Sequence, residues 1–263
     1  MVRQPHREIE RNRISINSQE GTRVKEATKY TEADIDGLNS QLSGKSAEDI
    51  VRWAGEAFGG DIKFANSFGA EDVALMDIIA KTAPQIRVFT LDTGRLNDET
   101  YLVMDATRLR HENVPIEVMF PDREQVEALT REKGFYSFRE SVELRKECCA
   151  IRKVKPLKRA LSDAEAWMTG LRRDQAVTRT DTPAVEWDEG NGIVKVNPLI
   201  DWTVEQVWDY IKANKVPYNK LHDQHYPSIG CAPCTRAIKD GEDIRAGRWW
   251  WENPEFKECG LHE

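Results

Sequence analysis

Ile62-Lys63-Phe64-Ala65-Asn66-Ser67-Phe68-Gly69-Ala70-Glu71-Asp72 passes from a strand through a turn into a helix. Ile62–Asn66 is a short, mostly apolar run. Glu71–Thr82 carries Val73, Ala74, Met76, Ile78 and Ile79 at helical spacing until Pro84 ends it. The same alternation continues downstream. Ile86–Leu91, Pro115–Phe120 and Ala164–Thr169 read as strands, and Asn97–His111, Asp122–Glu132 and Lys146–Leu161 as helices, the last interrupted by Pro156. Strands alternating with helices of this length predict an α/β fold: a mainly parallel sheet with helices on both faces. In such sheets ligands lie outside the carboxyl ends of the strands. That rule selects Ser67–Asp72, Asp92–Arg95 and Gly170–Gln175.

Upstream of this unit, residues 1–30 are polar and lack periodicity, as a flexible extension would. Helical patterning starts near Thr31, and a second helix runs from Ser46 as N-cap to Phe58, where Gly59-Gly60-Asp61 stops it. After Asp181 the pattern weakens. Val185–Trp187 and Ile193–Val196 read as a hairpin around Glu189-Gly-Asn-Gly192, Thr203–Ala213 as a helix, and Pro217 onward as irregular chain. The expected organisation is an extension over 1–30, one α/β domain over 31–251 and a mobile tail over 252–263.

Composition excludes several classes. Charged residues make up 32% and hydrophobic residues 40% of 263 positions, and no apolar run is long enough to span a bilayer. No membrane association is expected, and the N-terminus has no apolar secretion core, so the cytoplasm is the expected compartment. A net charge of −7 disfavours nonspecific nucleic-acid binding through a global positive field. The composition leaves room for a homo-oligomer.

Three segments carry candidate anion or nucleotide contacts. Ser67, Gly69, Glu71 and Asp72 open a helix, whose N-terminal amides bind anions; an ordinary capped turn is the alternative. The segment has neither the Gly-Lys-Ser/Thr of a Walker loop nor the G-x-G-x-x-G of a dinucleotide turn. Leu91, Asp92, Thr93 and Gly94 end the next strand, where they either hold a nucleotide edge or cap a turn. Gly170-Leu171-Arg172-Arg173-Asp174-Gln175 sets two arginines at a strand's carboxyl end, an arrangement suited to phosphate or sulfate. Most of the basic residues between Arg145 and Arg159 read as a solvated helix face. Lys153 differs, because it follows Cys149 by one helical turn.

The five cysteines divide into Cys148-Cys149, Cys231-x-x-Cys234 and Cys259. An odd count with an adjacent pair argues for reduced thiols or metal ligation over a disulfide framework. Adjacent cysteines serve a single zinc ion poorly but can ligate different irons of a cubane, so the geometry favours an iron–sulfur cluster over zinc. Cys259 lies between Glu258 and Gly260, with His262 close behind; a thiolate near His, Lys or Arg is a nucleophile at neutral pH.

Taken together, Lys257-Glu-Cys-Gly-Leu-His262, Cys148-Cys149, Cys231-x-x-Cys234 and Gly170-Leu-Arg-Arg-Asp-Gln175 resemble the assimilatory adenylyl-sulfate reductases. These are the cluster-bearing branch of the adenylyl-sulfate and phosphoadenylyl-sulfate reductase family, and the similarity runs from about Phe64 to His262. The resemblance implies an adenine-nucleotide hydrolase or ATP-pyrophosphatase-like fold with a 4Fe–4S cluster on Cys148, Cys149, Cys231 and Cys234. It implies reduction of adenosine 5′-phosphosulfate to sulfite and AMP, with Cys259 as nucleophile and thioredoxin or glutaredoxin as external reductant. Lys153, Arg245, Arg248 and His262 would then surround the phosphosulfate. Ser67–Asp72, Leu91–Gly94 and Leu171–Arg173 would surround the nucleotide. Ser67-Phe68-Gly69 departs from the Ser-x-Ser-Gly turn of many members, with Asn66 available as a further polar contact. A zinc-stabilised ATP pyrophosphatase and a non-enzymatic redox sensor are the alternative readings.

Overall fold

A computed structural model describes residues 29–175 and 181–253 of the chain. Its elements, in chain order, begin with α1 (Ile35–Leu42), α2 (Ala47–Phe58), β1 (Ile62–Ala65), α3 (Ala70–Thr82), β2 (Arg87–Leu91), α4 (Asp98–Arg110) and β3 (Ile116–Met119). There follow α5 (Arg123–Lys133), α6 (Val142–Cys149), α7 (Lys155–Leu161), β4 (Ala166–Met168), β5 (Val185–Asp188), β6 (Ile193–Val196) and α8 (Val204–Asn214). The six strands form one sheet in the order β3-β2-β1-β4-β6-β5. All neighbours are parallel except β5 and β6, the antiparallel hairpin expected around Gly192.

Alternation along each strand sends successive side chains to opposite faces. Ile62, Phe64, Val88 and Met168 pack against α1, α2 and α3, while Phe89, Trp167 and Leu91 pack against Leu157, Ala160 and Leu161 of α7. Helices therefore cover both faces, as a parallel sheet requires. Side-chain caps fix several helix starts: Ser46 Oγ accepts from Asp49 N at 3.1 Å, Asp122 Oδ1 from Gln125 N at 2.9 Å and Ser141 Oγ from Leu144 N at 3.2 Å. Asn97 stands at the N-cap of α4 but gives its amide to Gly230 O at 3.3 Å, tying that helix to the cysteine loop.

The basic stretch expected as one helix over Lys146–Leu161 is three segments. Between α6 and α7, Ala150–Val154 forms a π-turn. Pro156 has no N–H for the carbonyl one turn back and its ring crowds that carbonyl, so a wider turn relieves the conflict. Nor is this face uniformly solvated. Arg145 is fully buried and Arg152 nearly so, both turned toward the cysteines, which corrects the reading of these two as surface charges.

Candidate active site

The turn after β1 is held open by its own side chains. Asn66 Oδ1 accepts from Phe68 N at 2.8 Å, and Phe68 takes the left-handed φ of 60°, which a bulky residue adopts only when its surroundings enforce it. Ser67 donates from both its backbone N and its Oγ to Asp72 Oδ2, at 2.7 and 2.6 Å. Burial pushes the Asp72 carboxyl up to about 6, against the hydrogen bonds from Ser67 and with the Glu71 charge adding to the rise. Asn66 Nδ2 is buried and has no hydrogen-bond partner among the described residues. Gly170, after β4, closes the other side: a Cβ there would stand 2.2 Å from Asp72 Oδ1.

The turn after β2 links two parts of the molecule. Asp92 Oδ1 accepts from Gly94 N at 2.7 Å, and both its oxygens accept from the Tyr101 hydroxyl at 3.0 and 3.1 Å. Its carboxylate is thus spent on shaping the turn. Burial, with the facing Asp92, pushes the Tyr101 phenol up to about 12. Thr93 turns the other way: its hydroxyl lies 3.2 Å from Cys231 Sγ, and its carbonyl accepts from Arg152 Nη1 at 2.6 Å.

After β4 the two arginines part company. Arg172 is buried and its Nε and Nη2 reach Glu71 Oε1 at 3.0 and 2.9 Å. Arg173 donates to Thr182 O at 3.0 Å, pairs with Asp201 and lines none of the cavities described below.

These loops enclose a cavity of about 220 Å³ whose wall includes Asn66, Ser67, Asp72, Leu91, Thr93, Gly170 and Leu171, with Phe89, Met104, Leu157 and Trp167 as an apolar lining. A small pocket with polar groups on one rim and apolar walls opposite suits a flat heteroaromatic group. It opens onto a wider cleft of about 880 Å³ that shares Ser67, Glu71, Lys153, Leu171 and Gln175 with it. Gly69, Arg172, Arg245, Arg248, His222 and His225 line this cleft. Arg248 is buried, donates from Nη1 to Ser228 Oγ and Ile229 O at 3.3 and 3.4 Å, and stacks 4.7 Å from the Trp249 ring centre.

All four described cysteines line a third cavity, together with Arg95, Arg145, Arg152, Lys153 and Arg248, and among the described residues no carboxylate lies on its wall. None of the four forms a disulfide. Burial alone would raise the Cys231 thiol, but Lys153, the Thr93 hydroxyl, Arg248 and Arg95 hold it below its ordinary value. Cys234 is pushed up to about 12 by burial and by the crowding of Cys231, Cys149 and Cys148. Four thiols facing five cations in a buried space form a donor set for an anionic, thiolate-ligated group. Among the described residues no three His, Cys, Asp or Glu side chains are placed to hold a single metal ion.

Lys153 lines all three cavities. The sequence brought it to the cysteines by an α-helical turn from Cys149; it arrives through the π-turn. Arg95, Arg145 and Arg152 were missed as cysteine neighbours. Only the adjacency of Arg145 and Arg152 to the Cys148-Cys149 pair could have signalled two of them. Cys259 and His262 lie outside the described residues.

A likeness of fold alone links the chain to the Candida glabrata FMN adenylyltransferase complexed with FMN and an ATP analogue. The TM-score is 0.50 at 12% identity, covering 90% of this chain and 79% of that one. Closer is the phosphoadenylyl-sulfate reductase of Candida auris in its phosphate complex, at TM-score 0.68 and 29% identity, covering 80% of this chain and 98% of that one. The phosphoadenosine phosphosulfate reductase domain matches residues 61–237. An adenosine 5′-phosphosulfate reductase of Allochromatium vinosum is 54% identical over 201 residues, covering 76% of this chain and 78% of that one. The chloroplastic 5′-adenylylsulfate reductase 3 of Arabidopsis thaliana is 47% identical over 239 residues, 88% of this chain and 51% of its own. The chain belongs to the phosphoadenosine phosphosulfate reductase family. No described helix is long and apolar enough to cross a membrane.

Proposed function

We propose that this chain reduces adenosine 5′-phosphosulfate to sulfite and AMP in sulfate assimilation, with electrons from an external dithiol such as thioredoxin. The observation that carries the reading is the meeting of three cavities at Lys153: one sized for a base, one cationic, one lined by four cysteines. The names of the relatives from Allochromatium and Arabidopsis point to the same substrate.

The adenosine occupies the pocket beside Trp167 and Met104. Asn66 Nδ2, buried without a partner among the described residues, donates to the nucleotide, and the α3 amides hold the α-phosphate, with Ser67 fixing that turn through its bonds to Asp72. Arg245, Arg248 and Lys153 face the sulfo group, neutralising charge where the substrate carries it. Cys259 then attacks the sulfur. Its sulfur–sulfur bond forms as the bond from sulfur to the phosphate oxygen breaks, and AMP leaves as an anion. A thiolate of the dithiol attacks Cys259 sulfur, expelling sulfite and leaving a mixed disulfide. Its second thiol resolves that disulfide, so two electrons pass from the dithiol to the sulfo sulfur.

Cys148, Cys149, Cys231 and Cys234 would hold a 4Fe–4S cluster, which supplies a fixed charge and a rigid anchor beside the substrate. Arg95, Arg145, Arg152 and Lys153 balance that charge.

Intact-protein mass after mixing with adenosine 5′-phosphosulfate in the absence of reductant tests the reading. The expected result is a sulfonate adduct on Cys259 with AMP released, absent from Cys259→Ser, whose iron content matches the parent's. No adduct, or full turnover by Cys259→Ser, would refute it. Running the 3′-phosphorylated substrate in parallel shows which form is used.

A further inference from the structure

On the reading that Arg248 faces the sulfo group, we propose that Gly230 is a positioning residue. Its missing side chain lets the Arg248 guanidinium lie between the cysteine cavity and the substrate cleft. Arg248 borders both of those spaces, while Gly230 borders the base pocket and immediately precedes Cys231. A Cβ on Gly230 would stand 2.5 Å from Arg248 Nη2, 2.6 Å from Cζ and 3.1 Å from Nε, its three nearest contacts outside the neighbouring residues. The methyl group that glycine lacks would thus meet the guanidinium first.

Neither side has room to give. Gly230 N donates to Thr235 Oγ1 at 3.1 Å, and Gly230 O accepts from Asn97 Nδ2 at 3.3 Å. Thr235 Oγ1 in turn donates to Cys231 O at 3.0 Å, and Ala232 N to Arg95 O at 2.8 Å, so a backbone shift at 230 would drag the cysteine loop with it. Arg248 is 8% exposed and stacks 4.7 Å from the ring centre of Trp249, which is itself buried. Its Nη1 reaches Ser228 Oγ and Ile229 O at 3.3 and 3.4 Å, already at the long end of hydrogen bonding.

Ordinary contact begins near 3.4 Å, so a methyl group at 230 moves the guanidinium by about 0.9 Å. A displacement of that size breaks the long bonds from Nη1 and takes the charge out of line with the sulfo group. Loss of one hydrogen bond to a charged group corresponds to about tenfold or more in affinity. AMP carries no sulfo group, and its phosphate sits at the α3 amides, so its binding is spared. Gly230 therefore acts on the substrate through Arg248.

The test measures the Kd of adenosine 5′-phosphosulfate and of AMP by calorimetric titration, on iron-loaded protein carrying Cys259→Ser so that no adduct forms. Gly230→Ala, Arg248→Ala and their double variant are compared in that background. The expected result is adenosine 5′-phosphosulfate bound about tenfold or more weakly by Gly230→Ala, with AMP within twofold of the parent. In the Arg248→Ala background the added methyl meets no guanidinium, so the second substitution weakens binding by less than twofold more. Equal losses for both ligands in Gly230→Ala, an unchanged substrate Kd, or additive losses in the double variant overturn the assignment. Where Gly230→Ala fails to load iron, loading by the double variant supports it, because the clash is then with Arg248 alone; failure of both overturns it. Undiminished substrate affinity in Arg248→Ala refutes the reading that Arg248 faces the sulfo group, and Gly230's part falls with it.

Discussion

Gly170→Ala places a methyl group where the structure has no room for one. The new Cβ would lie 2.2 Å from Asp72 Oδ1 and 3.1 Å from Glu71 Cβ. Ordinary contact begins near 3.4 Å, so the Asp72 carboxylate must retreat by about 1.2 Å. That carboxylate holds Ser67 through bonds of 2.7 and 2.6 Å, and a bond of that length fails once it stretches much beyond about 3.2 Å. Asp72 cannot retreat so far and keep both. A hydrogen bond to a charged group contributes about 1.5–3 kcal/mol, which corresponds to roughly 10- to 150-fold weaker AMP binding if the loss falls on the Ser67 turn. Calorimetric titration of AMP into the iron-loaded protein measures this. The α/β body does not depend on position 170, so iron content should stay near the parent's. AMP affinity within twofold of the parent's would refute the argument that Asp72 holds the phosphate turn.

Other substitutions probe the remaining parts. Asp72 has its carboxyl raised to about 6 from the ordinary 3.8, chiefly by burial. The folded form binds that proton more tightly than the unfolded chain, so its contribution is full below about pH 4 and is lost as pH rises through about 6, a span worth about 3 kcal/mol at most. Asp72→Asn should flatten the fall in stability between about pH 4 and 6, read from denaturant midpoints at each pH. Arg172→Met strands Glu71 beside the nucleotide pocket; breaking such a largely buried pair costs about 3–5 kcal/mol, and Tm should drop by at least about 6 °C. Cys231→Ser and Cys234→Ser each remove one sulfur from the four-cysteine cavity. Both should lose bound iron and visible absorbance near ~400 nm while far-UV circular dichroism stays unchanged.

Much of the fold was legible because its signals are local. Each strand from Ile62 to Thr169 is a short apolar run between helical repeats, and such periodicities depend on backbone geometry over a few residues. Position at the carboxyl ends of those strands then picked out Ser67–Asp72, Asp92–Arg95 and Gly170–Gln175 without any structure. The grouping of Cys148-Cys149 with Cys231-x-x-Cys234 was equally plain, since thiols in such pairs have few other uses.

What stayed hidden was decided by distance across the chain. Arg172 and Arg173 are neighbours of like type, yet one is buried against Glu71 and the other pairs outside with Asp201. Which way each points depends on the twist at the end of β4 and on what α3 presents there. Arg145 and Arg152 read as surface charge because helical periodicity cannot show that the Cys231–Cys234 loop shares a buried cavity with them. Asp72 is an ordinary first-turn acid by sequence. Chiefly its burial in the folded chain moves its titration upward. By itself the sequence determined the α/β alternation, the loops that form the site and the residues able to do chemistry. Tertiary structure alone decided which cation faces which sulfur, how Lys153 comes to border three cavities, and that the Arg248 guanidinium lies against Gly230. Those outcomes follow from desolvation and long-range contacts, which exist only once distant segments have closed on one another.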